Sequence, residues 1–481
     1  MKTVNRRDFL KAGLATAASM SIPAHSWAQV EGANDAIRVA VIGFNGRGQD
    51  HIKELRGLGK SVRIVALCDA DQKVLDKSVA AFEKRGDKVA AYKDMRQVFD
   101  NKDIDAVSIA TPNHWHSLAA IWAVQAGKDV YVEKPVSHNV SEGRRVVQAA
   151  RKHNKIVQTG TQIRSSNGIR AAVEWVQAGN LGKIQVARAL CYKRRASIGK
   201  VSEAQPVPAS VDYDLWCGPA PKGPLMRKNL HYDWHWVWST GNGDLGNQGI
   251  HQMDIARWFL GEKALSPRVF GLGGRFGYVD DGQTPNTLVV YHAYEKAPLI
   301  FEVRGLPEKT GAKGMDKLKG ASVGDIIECE GGYVVVPDYR SAVVYDKQDN
   351  EIKRFEGATS HFENFIAAVR SRKREDLHAD ILEGHLSSAL CHTGNISYRL
   401  GQQRRSGEIL EAIKGDRAAS ETFGRMAEHL KVNDVDLAQD NAALGEFLTM
   451  DPAAENFPGN DRANQLLTRE YRAPFVVPAS V

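Results

Sequence analysis

The chain has 481 residues, enough for two or three domains, and its 25% charged and 43% hydrophobic residues are ordinary for a water-soluble globular protein. A formal charge of +7 and a pI near 9.0 come from Lys and Arg scattered along the chain, which reads as solubility rather than as a nucleic-acid surface. After the N-terminal segment no run reaches the roughly 18 apolar residues of a membrane span, and five widely spaced cysteines without a CxxC pair are no disulfide framework.

Residues 1–28 read as a targeting signal. Asn5-Arg6-Arg7-Asp8-Phe9-Leu10-Lys11 puts a twin arginine before a weakly apolar run over 12–22, and Ser26-Trp27-Ala28 offers small residues for cleavage. That is the layout of a bacterial twin-arginine export signal, and it predicts a periplasmic mature protein.

A β-branched run over 37–42 leads directly into Gly43-Phe44-Asn45-Gly46-Arg47-Gly48, followed by a helical pattern to Leu58. Strand, glycine turn and helix let the backbone approach a pyrophosphate at the helix N-terminus, although Asn45 stands at the second Gly of the G-x-G-x-x-G fingerprint. The next strand, 62–69, ends in Asp69, placed to bond adenosine ribose hydroxyls, to cap the next helix, or both. Asp71 adds negative charge that would repel a 2′-phosphate, so NAD is expected over NADP; Arg47 is the one residue arguing the other way.

Strand 106–110 ends in Thr111-Pro112-Asn113-His114-Trp115-His116. No acidic or thiol partner lies near the two histidines in sequence, so no metal is expected, and they read as contacts on the nicotinamide side of a cofactor. Val130-Tyr131-Val132 is a buried strand that Pro135 closes, which leaves Glu133 and Lys134 at its carboxyl end, the edge where open parallel sheets bind ligands. Lys134 is either a solvated loop-end lysine or one aimed at a cofactor or reacting hydroxyl; the nucleotide-binding pattern before it favours the second. Helix 141–153 and strand 155–159 follow, then Gln162, a further cofactor candidate. Alternating strands and helices predict a doubly wound parallel sheet.

The pattern then changes. Strand 184–192 gives way to a polar, Pro-rich stretch and to His231-Tyr232-Asp233-Trp234-His235-Trp236-Val237-Trp238. This is either aromatic packing under a long loop or a sugar site, with Tyr232, His235 and Trp236 as substrate candidates. A glycine-rich turn over 241–246 opens a helix predicted over 247–258, with Asn247 and His251 on one face at i and i+4. Six short strands at 268–272, 287–293, 299–303, 325–329, 333–336 and 342–345 predict one mostly antiparallel sheet. Helices are expected at 361–371 and 381–400, and 466–477 as a tail packing back on the body.

The glycine turn, Asp69, Thr111-Pro112-Asn113 with His116, Glu133-Lys134-Pro135 and Gly249-x-His251-x-x-Asp254, taken in order, resemble the glucose–fructose oxidoreductase, inositol dehydrogenase and MocA (Gfo/Idh/MocA) family over residues 37 to 400. The resemblance implies an α/β chain. Its parts are an N-terminal Rossmann domain over 35–160, a substrate and oligomerisation α/β domain with an open, mostly antiparallel sheet over 161–400, and an extension over 401–481. It implies a homo-oligomer, dimer or tetramer, and a small carbohydrate substrate. Lys134 and His251 match the family's catalytic lysine and histidine, while Asn247 stands where the family carries an Asp; an amide can orient a hydroxyl but is no base.

Export bears on mechanism, because free NAD is not expected in the periplasm. A folded protein could carry NAD out and must then regenerate it within each cycle. Sugar–sugar oxidoreduction and redox-neutral glycoside cleavage through a transient keto-sugar both satisfy this. A non-catalytic sugar-binding protein is the third reading, and the presence of both Lys134 and His251 argues against it.

Overall fold

The computed structural model describes residues 36–481, so the export signal over 1–28 lies outside the described residues. Strands β1 (Ile37–Ile42), β2 (Val62–Cys68), β3 (Ala90–Tyr92), β4 (Ala106–Ile109), β5 (Asp129–Val132) and β6 (Val157–Thr159) form a parallel sheet in the order β3-β2-β1-β4-β5-β6. Every residue of β4, β5 and β6 is buried, because helices cover both faces; such strands read as unbroken apolar runs. The chain reverses its winding between β1 and β4, which opens a crevice at their carboxyl ends. β3 carries no strand signal in its residues, since two of the three are exposed alanines.

The second sheet has eleven strands: β7 (Ile184–Tyr192), β8 (Arg268–Gly274), β9 (Thr287–His292), β10 (Leu299–Arg304), β11 (Val323–Cys329), β12 (Gly332–Val336), β13 (Ser341–Asp346), β14 (Glu351–Glu356), β15 (Gln402–Arg404), β16 (Ala442–Leu444) and β17 (Leu448–Thr449). Only the β7–β10 pairing is parallel, so the expected mostly antiparallel sheet is present, with β7 at its centre. Four strands go beyond the expectation. β14 is a charged, exposed edge strand of the kind that blunts a sheet edge. β15, β16 and β17 come from the residues after 400 and widen the sheet.

One face of this sheet packs on helices Gly249–Leu260 and Ile381–Leu400. A Cβ on Gly249 would come within 2.3 Å of the Phe301 ring, so the first turn of its helix sits directly on β10. The opposite face is covered by helices Ser406–Ile413 and Arg417–Lys431, whose Ile409, Phe423 and Met426 bury Val186, Leu272 and Ile300. The tail returns as expected: Phe475 and Val477 pack with Trp115 and Leu118 on the first sheet's helices. All five cysteines are buried and free.

Candidate active site

A cavity of about 650 Å³ lies at the carboxyl ends of β1, β2, β4 and β5, closed on its far side by residues of the second half. Its floor is the glycine turn. Gly43 adopts φ +76°, and a Cβ there would lie 2.9 Å from the Thr111 nitrogen; a Cβ on Gly48 would strike the Gly43 carbonyl at 2.1 Å. Gly43, Phe44, Asn45, Gly46 and Arg47 line the cavity, whereas Gly48 acts only by letting the turn close. A Cβ on Gly46 would meet nothing within 4 Å. The helix Arg47–Gly57 begins there with no side-chain cap, so its first N–H groups are left for an anionic ligand.

Asp69 lines the cavity and accepts the Phe44 and Asp71 N–H groups, each at 3.0 Å, while burial raises its pKa. The helix cap is Asp71, not Asp69: its carboxylate accepts the Lys73 N–H at 3.0 Å and lies 3.0 Å from His231 Nε2. Asp71 therefore sits behind the cavity wall. Arg47 is bound by Glu133 at 2.9 Å and Asp50 at 3.1 Å, so its guanidinium is already paired; Lys93 is a second cation lining the cavity.

Thr111, Pro112, Asn113 and His116 also line the cavity. Asn113 donates to Asn242 Oδ1 at 3.1 Å. The ring nitrogens of His116 lie 2.6 Å from the Pro135 carbonyl and 2.7 Å from that of Thr111. It braces two strand-end loops while it lines the cavity. His114 lies outside the cavity, 2.9 Å from the Trp216 carbonyl.

Glu133 is the hub of the site. One oxygen takes Arg47 Nε at 2.9 Å, His51 Nε2 at 3.0 Å and Gln162 Nε2 at 3.0 Å, and the other accepts the Lys134 N–H at 3.1 Å. Burial would raise its pKa, but His51, Arg47 and Lys134 more than offset this and hold it ionised, well below the carboxylate range. Lys134 leaves this hub and crosses the cleft to donate to the Asn247 carbonyl at 2.9 Å. Burial lowers its pKa, opposed by Glu133. His251 lines the same cavity; its Nδ1 is buried without a partner, and burial together with the Lys134 charge holds its pKa well below the imidazole range.

The predicted shared helix face for Asn247 and His251 is wrong. Residues 243–246 form a separate turn of helix, the chain bends at Asn247 (φ −87°, ψ −86°), and the following helix starts at Gly249. Both side chains still reach the cavity, and the Asn247 amide has no hydrogen-bond partner among the described residues.

Tyr232 and His235 line the cavity, but Trp236 does not; it is buried with Arg195 over its ring at 5.4 Å. Trp234 takes the inward place, with the His235 ring stacked on it at 3.6 Å. Burial pushes His235 down to about 4. The aromatic segment is thus packing and cavity wall at once. Sequence reading missed Tyr339, on the turn between β12 and β13, whose ring centroid is 5.2 Å from that of His251. Its one signal is an aromatic in the Pro337-Asp338-Tyr339-Arg340 turn.

Also missed was a strap formed by residues 205–235. Leu215, Trp216, His231 and Trp234 wall the cavity beside Asp69 and Ala70. The strap is fastened to the first sheet by Gln72 N–H to the Ser210 carbonyl (2.8 Å), Asp212 N–H to that of Ala70 (2.9 Å), Trp115 Nε1–H to that of Leu215 (2.9 Å) and the His231–Asp71 pair. The tail fastens it from outside through Arg472 to Asp214 and Arg469 to the Pro219 carbonyl, both 2.9 Å. Among the described residues no group of three or more His, Cys, Asp or Glu side chains is placed to hold a metal.

The uncapped helix start, the open space at Gly46 and the buried acid at the end of β2 fit a dinucleotide. Residues 37–161 match the family model of the Gfo/Idh/MocA oxidoreductases described as their NAD-binding Rossmann fold, and residues 166–275 match that of their C-terminal α/β domain. The chain belongs to this family. NAD is its cofactor, and residues 3–23 match the model of a twin-arginine translocation signal, which points to export across the cytoplasmic membrane. Among the described residues no helix is long and apolar enough to cross a membrane.

Inositol 2-dehydrogenase 1 of Saccharopolyspora erythraea is 39% identical over 124 residues, which cover 24% of this chain, and a glycosyl hydrolase family 109 protein of Shewanella baltica is 34% identical over 178 residues, which cover 32%. The matched regions span 36% and 39% of those two proteins. The solved WlbA dehydrogenase of Bordetella pertussis, in complex with NADH and UDP-GlcNAcA, superposes with a TM-score of 0.55 at 19% identity over 74% of this chain and 94% of that one. An NAD-binding protein of Listeria innocua gives 0.52 at 17% identity over 74% and 93%. At those identities the likeness is one of fold.

Proposed function

We propose that this protein is an exported, periplasmic oxidoreductase that acts on a hydroxyl of a sugar or glycoside with NAD retained and recycled in its site. The strap is the observation that carries this reading. It walls the nucleotide end of the cavity and is fastened on one side by the first sheet and on the other by the tail. A cofactor under such a cover leaves slowly, and an exported enzyme cannot draw on a cytoplasmic pool.

When bound, NAD supplies the hydride acceptor. The protein supplies the rest. His251, kept neutral by burial, is the base for the hydroxyl proton, and the Lys134 ammonium stabilises negative charge developing on that oxygen. Asn247 offers an amide to a second hydroxyl. Glu133 sets the Lys134 backbone through its N–H, while Tyr232, His235 and Trp234 give a ring-shaped substrate one polar and one flat wall. Arg47 is already paired with Glu133 and Asp50, and Asp69 lines the nucleotide end of the cavity, in keeping with NAD over NADP.

A redox-neutral glycosidase is the second reading. The unpartnered Asn247 amide in place of an acid, and the match to a glycosyl hydrolase family 109 protein, favour it. There, oxidation to a ketone would acidify the neighbouring C–H, elimination would break the glycosidic bond and release the aglycone, water would add across the resulting double bond, and return of the hydride would restore the alcohol. One experiment addresses both readings: denature the purified protein, identify the released nucleotide by mass spectrometry, and incubate native protein with glycosides and no added cofactor. Stoichiometric NAD and turnover are expected. Loss of NAD on gel filtration, with activity only when NAD is supplied, would overturn the retained-cofactor reading.

A further inference from the structure

Two ammonium groups, those of Lys134 and Lys193, act on His251, and neither has a carboxylate partner of its own among the described residues. Lys134 donates to the Asn247 carbonyl. Lys193, at the end of β7, donates to Gln248 Oε1 at 3.0 Å, and Gln248 Nε2 donates to the Tyr339 hydroxyl at 3.1 Å. Lys193 is thus tied through Gln248 to Tyr339, which lines the cavity. Glu133 and Asp244 both favour the Lys134 charge, but each is already shared with other cations: Asp244 is bound twice by Arg195 at 2.7 Å, and Glu133 by Arg47, with His51 and Gln162 on the same oxygen. Neither lysine forms an ion pair with a described carboxylate, and the Lys193 charge is felt at both Lys134 and His251.

A surface lysine is ordinarily solvated and mobile, and its charge then specifies little. Here a neutral amide fixes the ammonium without cancelling its charge. A neutral sugar gains one hydrogen bond from such a group. An oxyanion gains a charge-assisted bond and relieves the repulsion between two fixed cations.

We infer that the substrate is an acidic sugar, whose compact oxyanion docks on Lys193 at the rim while the reacting hydroxyl lies between Lys134 and His251. The inference rests on the sugar-hydroxyl reading above. The shared chemistry is a singly or doubly charged oxygen group, which a uronic acid, a sulfate ester or a phosphate ester can supply.

Calorimetry on the NAD-loaded protein tests this with methyl glucoside, methyl glucuronide, glucose 6-sulfate and glucose 6-phosphate as probes. At low salt at least one acid is expected to bind about fivefold or more tighter than the neutral glucoside, the equivalent of roughly 1 kcal/mol, with the advantage shrinking as salt is added. The tightest of the three identifies carboxylate, sulfate or phosphate. In Lys193→Met the ratio of acid to neutral affinity should fall to near one, and Lys193→Arg should restore it. Equal binding of acids and neutral sugar by the wild type, no binding of any acid, or an unchanged ratio in Lys193→Met would overturn the inference. Hydride transfer is read separately, from nicotinamide absorbance. Acids that bind without reducing NAD would leave the inference standing and count against the redox reading; a neutral glucoside that reacts without any acid preference would do the reverse.

Discussion

Lys134 and His251 reach the cavity from opposite sides of the cleft, and each is held away from its ordinary titration range. Burial lowers the imidazole pKa, so the basic form of His251 persists below the usual value of about 6.5. Burial also lowers that of Lys134, so the ammonium is lost below the usual 10.4 or so. The profile of kcat/KM against pH should therefore be a bell with both limbs shifted downwards. An acid limb at or above about pH 6.5 would remove His251 as the base. Lys134→Met and His251→Ala should each cut turnover roughly 10²–10⁴-fold with NAD retained, and the double variant should lose less than the product of the two. Asn247→Asp divides the two mechanisms. A plain dehydrogenase should keep or gain activity with the acid, and a glycosidase tuned to the amide should lose it. Lys134, Asp69 and His251 were legible because a proline, a strand end or a glycine entry fixes each locally. Tyr339 was not, because only the pairing of β12 with β13 carries its turn to the cavity. The choice of Trp234 over Trp236 depends on how a single turn of 3₁₀ helix is rotated, which residue types alone do not specify.

Among the elements, the strap carries the most consequence and left the faintest trace in the sequence. Its residues are polar, Pro-rich and without periodicity, so they read as a loop; its fastenings are mostly backbone groups, invisible to any reading of side chains. One glycine marks where it is pressed hardest. Gly218 has φ +49°, and a Cβ there would lie 2.2 Å from the Trp115 ring. Gly218→Ala should push the strap off the helix Asn113–Gln125 at about 1–3 kcal/mol of local strain. The expected result is NAD lost on dialysis with the far-UV circular dichroism unchanged; full NAD occupancy in that variant would show that the strap does not hold the cofactor. The late start of the helix Gly249–Leu260 has a related cause. Gly243 and Gly246 let the chain close a separate short turn before it, so a helical pattern read forward from the glycines began two residues too early.

At the scale of the whole molecule, both sheets were legible because alternation of strands with helices, and then a run of short strands, are long-range patterns that survive local errors. The widening of the second sheet by β15 to β17 was not, since strands of two or three residues carry no period. Buried histidines predict the molecule's response to acid. Burial lowers His114, His292 and His392 to about 3 and His361 to about 4, against about 6.5 unfolded. Folded pKa values below unfolded ones mean that stability is full above about pH 6.5. It is then lost as the pH falls towards 3–4, at up to roughly 1.4 kcal/mol per pH unit for each histidine. Glu383 and Glu455, lowered to about 2 against burial by Arg257 and Arg164 and by His385 and Arg144, add a second loss only below about pH 4.3. Urea midpoints should be flat from pH 8 to 7 and drop between 6.5 and 5; a flat line to pH 5 would contradict this. The tail's grip on the strap also bears on how the protein is made. Arg469, Arg472 and Phe475 are translated after every described strand of both sheets, so the cleft stays uncovered on the ribosome until these residues emerge. Cofactor capture then falls in the interval between emergence of the tail and export of the folded chain. A chain ending at residue 465 should fold yet be exported empty of nucleotide, as mass spectrometry of the exported protein would read.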